Sequence, residues 1–267
     1  MGDNKTGQVS EDAAKVYEDF FLPALFQEWS PLVAEAAQIQ NGHRVIDVAC
    51  GTGALSITIS NHVGPNGSVI GVDINEGMLN IAREKEPHID WQTAPAELLP
   101  FEDASFDCAV CQFGLMYFDN REEALREMMR VLRPDGSLAF VVWDKLENNP
   151  GFAARNELWV QMFGDKAGDE IPYSLGDIEV LQNLLKASDV LDAEFNTCKG
   201  TARYPSIYDW MHTVTKGWTQ DNVIDDDQFE LLLQKAERVF SRFETPEGTI
   251  AYPTSAHIVT ARKNPEE

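Results

Sequence analysis

The sequence predicts an α/β protein, doubly wound around a seven-stranded, mostly parallel sheet. Before about residue 145, short apolar runs with β-branched or aromatic content alternate with helical patterns or turn signals, the sign of parallel strands with helices on both faces. An apolar run at 44–49 breaks into a glycine-rich turn and then a helical stretch at 54–63. Strand patterns at 193–204 and 256–262 flank a helical stretch and complete the sheet as its sixth and seventh members.

Taken in order, the first residues are polar and lack the apolar stretch of a secretory signal, so the expected compartment is the cytoplasm. Gly2 and Thr6 fit a loose N-myristoylation pattern that reads as chance. Residues 16–29 hold Tyr17, Phe20, Phe21, Leu25, Phe26 and Trp29, an aromatic helix pair that makes residues 1–40 an N-terminal helical cap. The core, residues 41–147, carries strands at 44–49, 68–73, 89–93, 106–113 and 137–143. Asn66-Gly67-Ser68 reads as a tight turn, because Asn and Gly tolerate positive φ. After the fourth strand, Asn120 can cap a helix with Glu123 three residues on, and Leu125, Met128, Met129 and Leu132 form its apolar stripe. Pro134-Asp135-Gly136 ends that helix.

Residues 148–267 supply the rest of the sheet and a helical lid inserted before the last strand. Helices are expected near 151–163, 176–187, 207–217 and 226–243. The lid aromatics Trp210, Trp218, Phe229, Phe240 and Phe243 suggest an apolar or aromatic pocket, with most of them packing as core.

Composition narrows the partners. Acidic residues number 44 against 21 basic, a net charge of −23 that repels phosphate backbones, so nucleic acid is not expected as a partner and a small molecule is. No apolar run reaches the roughly 18 residues of a membrane span. The chain is expected as a monomer or homodimer. Cys108-x-x-Cys111 lies in a strand, where residues three apart point to opposite faces, so these are core cysteines and no metal site is expected.

Chemistry concentrates in Val45-Ile-Asp-Val-Ala-Cys-Gly-Thr-Gly53. Glycines let backbone approach a ligand, and the following helix offers unpaired N–H groups. Asp73 ends the next strand twenty residues after Gly53, where a carboxylate can accept from both ribose hydroxyls, so a nucleoside is implied. Asp47 just ahead of the glycines would repel a pyrophosphate and favours a ligand with a cationic end, and Ser56 stands where a dinucleotide fingerprint has its third glycine.

These residues resemble the class I S-adenosylmethionine-dependent methyltransferases, especially the branch of the ubiquinone and menaquinone biosynthesis methyltransferases. The resemblance covers about residues 40–145. It rests on Asp47-Val-Ala-Cys-Gly-Thr-Gly53, Val72-Asp-Ile-Asn-Glu-Gly-Met-Leu79, Ala96-Glu-Leu-Leu-Pro-Phe101 with Ser105-Phe-Asp107, and Arg130-Val-Leu-Arg-Pro-Asp-Gly136, in that order. It implies a Rossmann-like methyltransferase fold, S-adenosylmethionine as cofactor and methyl transfer to a small acceptor. Asp47, Ala49, Gly51 and Gly53 would hold the methionine part, Asp73 the ribose, Ile74 and Met78 the adenine faces, and Ala96 with Glu97 the adenine edge. Pro95 stands where many relatives carry Asp, which passes the adenine amino group to Glu97 or a backbone carbonyl.

Ligands in open α/β sheets sit at the carboxyl ends of strands, so Gln112 to Tyr117 and Trp143-Asp144 should face the site, with Gln112 against the cofactor and Tyr17, Phe21, Tyr117 and Trp143 in the acceptor pocket. The Asp/Asn-Pro-Pro-aromatic signature of base-methylating enzymes is absent, Gln112-Phe-Gly-Leu standing there instead. Of five histidines, His43, His62 and His88 fall at far ends of elements and His257 in the last strand. His212, in the lid, is the candidate general base. A nicotinamide-dependent oxidoreductase and a non-catalytic nucleoside-binding protein are the alternative readings.

Overall fold

The computed structural model describes residues 11–164, 170–216 and 224–264. Seven strands, β1 (Arg44–Val48), β2 (Ser68–Asp73), β3 (Asp90–Thr93), β4 (Phe106–Gln112), β5 (Leu132–Trp143), β6 (Glu194–Tyr204) and β7 (Ile250–Arg262), form one sheet in the order β3-β2-β1-β4-β5-β7-β6. The pairs β3-β2, β2-β1, β1-β4 and β4-β5 are parallel, and β7 runs antiparallel to both β5 and β6. The near-continuous apolar runs of β1 and β4 are buried on both faces, as strands of a covered parallel sheet must be.

The N-terminal segment is one winding run rather than a helix pair. α1 (Glu11–Val16) widens into a π-helix over Tyr17–Phe26, tightens to a 3-10 turn at Gln27–Trp29 and continues as α2 (Ser30–Ala36). Pro23 sits inside the wide part, and a proline that cannot donate to the helical ladder favours such a local departure. α2 packs with α3 (Ala54–Val63) on one face of the sheet, and α4 (Glu76–Lys85) packs on β2 and β3. α5 (Arg121–Val131) packs on β4 and β5 together with α7 (Ile178–Ala187). The Asn120 side chain accepts from the Glu123 N–H at 3.1 Å, the cap expected from the sequence.

Between β5 and β7 lie α6 (Pro150–Phe163), α7, β6, α8 (Ile207–Lys216) and α9 (Asp226–Phe240). α9 opens on a full capping box, Asp225 with Gln228, which accounts for part of the acidic run at 225–227. Trp210 and Phe240 are fully buried, with ring centroids 4.5 Å apart and Tyr252 of β7 at 4.7 Å from Trp210, so these lid aromatics weld the lid to the sheet. Gly2, Thr6 and Trp218 lie outside the described residues.

Two strands are longer than expected. β5 begins at Leu132 because the chain through Pro134-Asp135-Gly136 stays in the sheet, with a register irregularity between Phe106 and Cys108 and Asp135 at φ +63°. β7 begins at Ile250 because its first half pairs with β6 alone. In the 64–67 turn the left-handed residue is Gly64, at φ +64°, not Asn66 or Gly67. No helix among the described residues is long and apolar enough to cross a membrane.

Candidate functional site

A cavity opens at the carboxyl ends of the central strands. One wall is Ala49, Gly51, Asp73, Ile74, Asn75 and Met78 from the tips of β1 and β2. The tips of β4 and β5 contribute Gln112, Phe113, Gly114 and Trp143, and the N-terminal segment Tyr17, Phe21, Leu25 and Phe26. Phe152, Arg155, Pro172, Tyr173, Tyr204 and Val214 close the opposite side. An adjoining recess shares Ala49, Asp73, Ile74, Tyr117 and Phe118 with the cavity and is completed by Ala94, Pro95, Ala96, Glu97 and Asp119.

Asp73 organises the first wall. Its Oδ2 accepts from the Gly51 N–H at 2.8 Å and its Oδ1 from the Asn75 N–H at 2.8 Å, which pins the glycine bend to the second strand tip. Burial raises its pKa above the ordinary carboxylate value, and the backbone donors pull it partly back. With the Ile74 backbone as a third donor, the carboxylate still has acceptor capacity left for a ligand hydroxyl. Ile74 is 47% exposed and offers a flat apolar surface beside it.

The two glycines of the bend do different work. At Gly51 (φ +56°) no atom lies within 4 Å of where a Cβ would stand, so that side is open to the cavity. At Gly53 (φ +85°) a Cβ would meet the Trp91 ring at 2.5 Å. Gly53 therefore packs the start of α3 against β3, and it does not line the cavity.

Asp47 also departs from its expected place. It is fully buried under the bend rather than in the cavity wall, because Ser56 in the first turn of α3 donates to its Oδ2 at 2.6 Å. Its Oδ1 has no hydrogen-bond partner. Burial, with Asp73 nearby, raises its pKa to about 7 from 3.8. A carboxylate in that state is stabilised when a positive charge arrives above it.

Ala49 and Phe113, at the tips of β1 and β4, hold left-handed backbone at φ +58° and +54°. L residues at such angles cost about 1–2 kcal/mol each. The curl is kept by backbone bonds to the neighbouring strands, Cys50 N–H to Val72 O and Phe113 N–H to Val141 O, both 3.0 Å. Gly114 lets the two tips touch, since its Cβ would stand 2.6 Å from that of Ala49. The curl lays Phe113 flat on Trp143 (centroids 4.1 Å, 23°), with Phe26 and Trp29 around them.

Gln112 lines the cavity but is engaged at both ends of its amide: Nε2 donates to Phe26 O at 3.2 Å and Oε1 accepts from Ser30 Oγ at 3.0 Å. It ties the N-terminal segment to β4. Lys85 does the same on the other side, pairing with Glu18 at 2.6 Å and donating to Thr52 O at 3.2 Å.

The structure thus brings together Ala49, Gly51, Asp73, Ile74, Met78, Gln112, Tyr17, Phe21, Tyr117 and Trp143 around the cavity, with Ala96 and Glu97 in the recess. Glu97 Oε1 accepts from the Asn120 N–H at 3.2 Å. His212 is not among them. It lies on α8 against the rings of Tyr208 (5.7 Å) and Phe229 (6.3 Å), on a different side of the helix from the buried Trp210. Asp144 does not face the cavity either. It is buried in a network with Asn148, Ser255 and His257, whose Nε2 stands 3.2 Å from its Oδ1. Cys108 bonds with Ser137 on the α2 side, whereas Cys111 lies beneath Gly114, so the two do not converge. Phe152, Arg155, Tyr173 and Tyr204 were not singled out from the sequence, where an arginine between alanine and asparagine in a helix carries no motif.

Comparison with known proteins adds a separate line. The ubiE/COQ5 methyltransferase family matches residues 4–189. The ubiquinone/menaquinone biosynthesis C-methyltransferase UbiE of Pseudomonas entomophila is 36% identical over 153 residues, covering 54% of this chain and 60% of its own. That of Pseudomonas putida (strain GB-1) is 35% identical with the same coverage. The chain spans 60% of the length of these relatives. Among solved structures, the YcgJ protein of Bacillus subtilis superposes with a TM-score of 0.60 at 21% identity, over 89% of this chain and 98% of that one. The phosphoethanolamine N-methyltransferase 2 of Haemonchus contortus, solved with phosphomonomethylethanolamine and S-adenosylhomocysteine, gives 0.60 at 14% identity, over 96% of this chain and 58% of that one. These two likenesses establish the shared fold.

Proposed function

The chain belongs to the ubiE/COQ5 methyltransferase family, and from this we propose that it transfers a methyl group from S-adenosylmethionine to a small acceptor with an apolar or aromatic body, at oxygen, carbon, nitrogen or sulfur. The observation that carries the reading is the pairing of Asp73 with the Gly51 N–H beside open space at Gly51. That arrangement gives a ribose-sized diol its acceptor and lets a ligand lie directly on backbone. The unpartnered Asp47 Oδ1 under the bend suits a ligand whose other end is cationic, and the recess at Ala94–Glu97 suits a flat base edge.

Bound S-adenosylmethionine supplies a methyl already activated on a sulfonium. What remains for the chain is positioning and the exclusion of water. Asp73 would receive the ribose hydroxyls, Ile74 and Met78 the adenine faces, and Ala96 with Glu97 its edge. Ala49 and Gly51 would carry the methionine part, with the Asp47 charge beneath. The stacked Phe113 and Trp143, with Tyr17, Phe21 and Phe26 from the N-terminal segment, would hold an apolar acceptor in line with the methyl and keep the space dry. Residues 1–40 would act as a cap, 41–147 as the cofactor core, and 148–267 as the remainder of the sheet with the acceptor lid.

Calorimetry separates this from the oxidoreductase reading: S-adenosylhomocysteine binds and NAD does not. D73A should weaken S-adenosylhomocysteine by about 1–3 kcal/mol, the loss of charge-assisted acceptors. Unchanged affinity would remove Asp73 from the site. Turnover of a labelled methyl group onto an acceptor excludes a merely binding protein.

A further inference from the structure

The recess beside the cavity is built from two segments with different hydrogen-bonding character. One is residues 94–97, after β3, and the other is residues 117–119, ahead of α5. On the first, Pro95 has no N–H and no polar side chain, and its carbonyl accepts from the Leu98 N–H at 3.2 Å. Ala96 is 7% exposed and lines the recess, and its N–H has no hydrogen-bond partner among the described residues. A donor in so buried a place is rarely left without an acceptor, so this segment suits a ligand atom that accepts.

The acceptor on the other segment is Asp119. Glu97 also lines the recess, but its Oε1 accepts from the Asn120 N–H at 3.2 Å and so ties the 94–97 segment to the start of α5. The backbone on both sides of Asp119 is fixed. Before it, the Leu115–Tyr117 turn is closed by the Tyr117 N–H on Gly114 O at 2.9 Å. After it, Asn120 is held by Glu97 and caps α5 through the Glu123 N–H at 3.1 Å. Asp119 itself is exposed yet lines the recess, which sets its carboxylate at the rim.

We propose that Asp119 accepts the exocyclic amino group of the cofactor's base while the Ala96 N–H donates to the ring nitrogen beside it, so that the recess selects adenine over its deaminated form. That edge of adenine presents a ring nitrogen that accepts next to an amine that donates, the complement of a backbone N–H next to a carboxylate. Hypoxanthine reverses both groups. It sets N–H against N–H and a carbonyl oxygen against the carboxylate, a mismatch that weakens binding by repulsion as well as by lost bonds. This inference rests on the methyl-transfer reading and sharpens its base contact, leaving Glu97 to hold the 94–97 segment in place.

The test is calorimetry on the full chain with S-adenosylhomocysteine and with S-inosylhomocysteine, in which an oxo group replaces the amine. Wild-type protein should bind the first at least ten-fold tighter. D119A should shrink that preference at least five-fold. D119N keeps the side chain's size and can donate from its amide, so it should bind S-inosylhomocysteine more tightly than wild type does; it decides if D119A folds poorly. E97A should weaken both compounds alike. A wild-type preference below ten-fold overturns the assignment, as does a smaller change in D119A or no gain in D119N. A preference lost in E97A and kept in D119A gives the amine to Glu97 and overturns it too. Failure of the wild type to bind S-adenosylhomocysteine sinks the methyl-transfer reading, and this one with it. Tight binding of both compounds without discrimination sinks this one alone.

Discussion

Asp47 concentrates the electrostatics of the site in one atom pair: Oδ2 is satisfied by Ser56, Oδ1 is not, and the pKa stands near 7. Between pH 4 and 7 the folded chain therefore holds a proton that the unfolded chain has released. Stability contributed by this group falls as pH rises through that window and is level above it. D47N lacks this contribution, so its stability relative to wild type should rise between pH 5 and pH 8. Urea denaturation at the two values checks this, and a parallel pH dependence of both proteins refutes the buried acid. The sequence showed that an acid stands ahead of the glycines. It did not show that Ser56, the residue in place of a third glycine, turns it inward, because that depends on how α3 seats on β1.

At the scale of elements, the N-terminal segment is fastened to the sheet by a small number of polar contacts. Gln112 spans from β4 to Phe26 and Ser30, and Q112A should cost about 1–3 kcal/mol of stability by leaving those partners without their bonds. H212A, on a partly exposed side of α8, should stay within about 0.5 kcal/mol and leave S-adenosylhomocysteine binding unchanged. Denaturant midpoints of both variants make the comparison, and a tight-binding defect in H212A would restore that residue to the site. The five core strands and the Asn120 cap were legible because period, turn chemistry and capping are local. The run through Pro134 and the first half of β7 were not, since their strand character comes from partners far along the chain. The same holds for Arg155 and Tyr204, which reach the cavity only through the packing of α6 and β6 on β7. The π-helical stretch at 17–26 keeps Tyr17, Phe21 and Phe26 together, with Tyr17 and Phe26 centroids 5.4 Å apart, although the sequence read as two ordinary helices.

Across the whole molecule, a net charge of −23 opposes compaction, and the ion pairs found are chiefly surface contacts that offset little of it. Raising NaCl from 20 to 200 mM should therefore raise the thermal midpoint as the Debye length falls from about 20 Å to about 7 Å. A midpoint that drops with salt would mean that specific ion pairs outweigh the repulsion. The order of the sheet carries a further consequence, for the timing of assembly during translation. β7 lies between β5 and β6, so β6 has no neighbour to zip onto until residues 250–262 have left the ribosome. At about 5–20 residues per second that is a delay of several seconds. During this interval the nascent chain can already form its nucleoside half, while the half bearing Tyr204 waits for a strand not yet made.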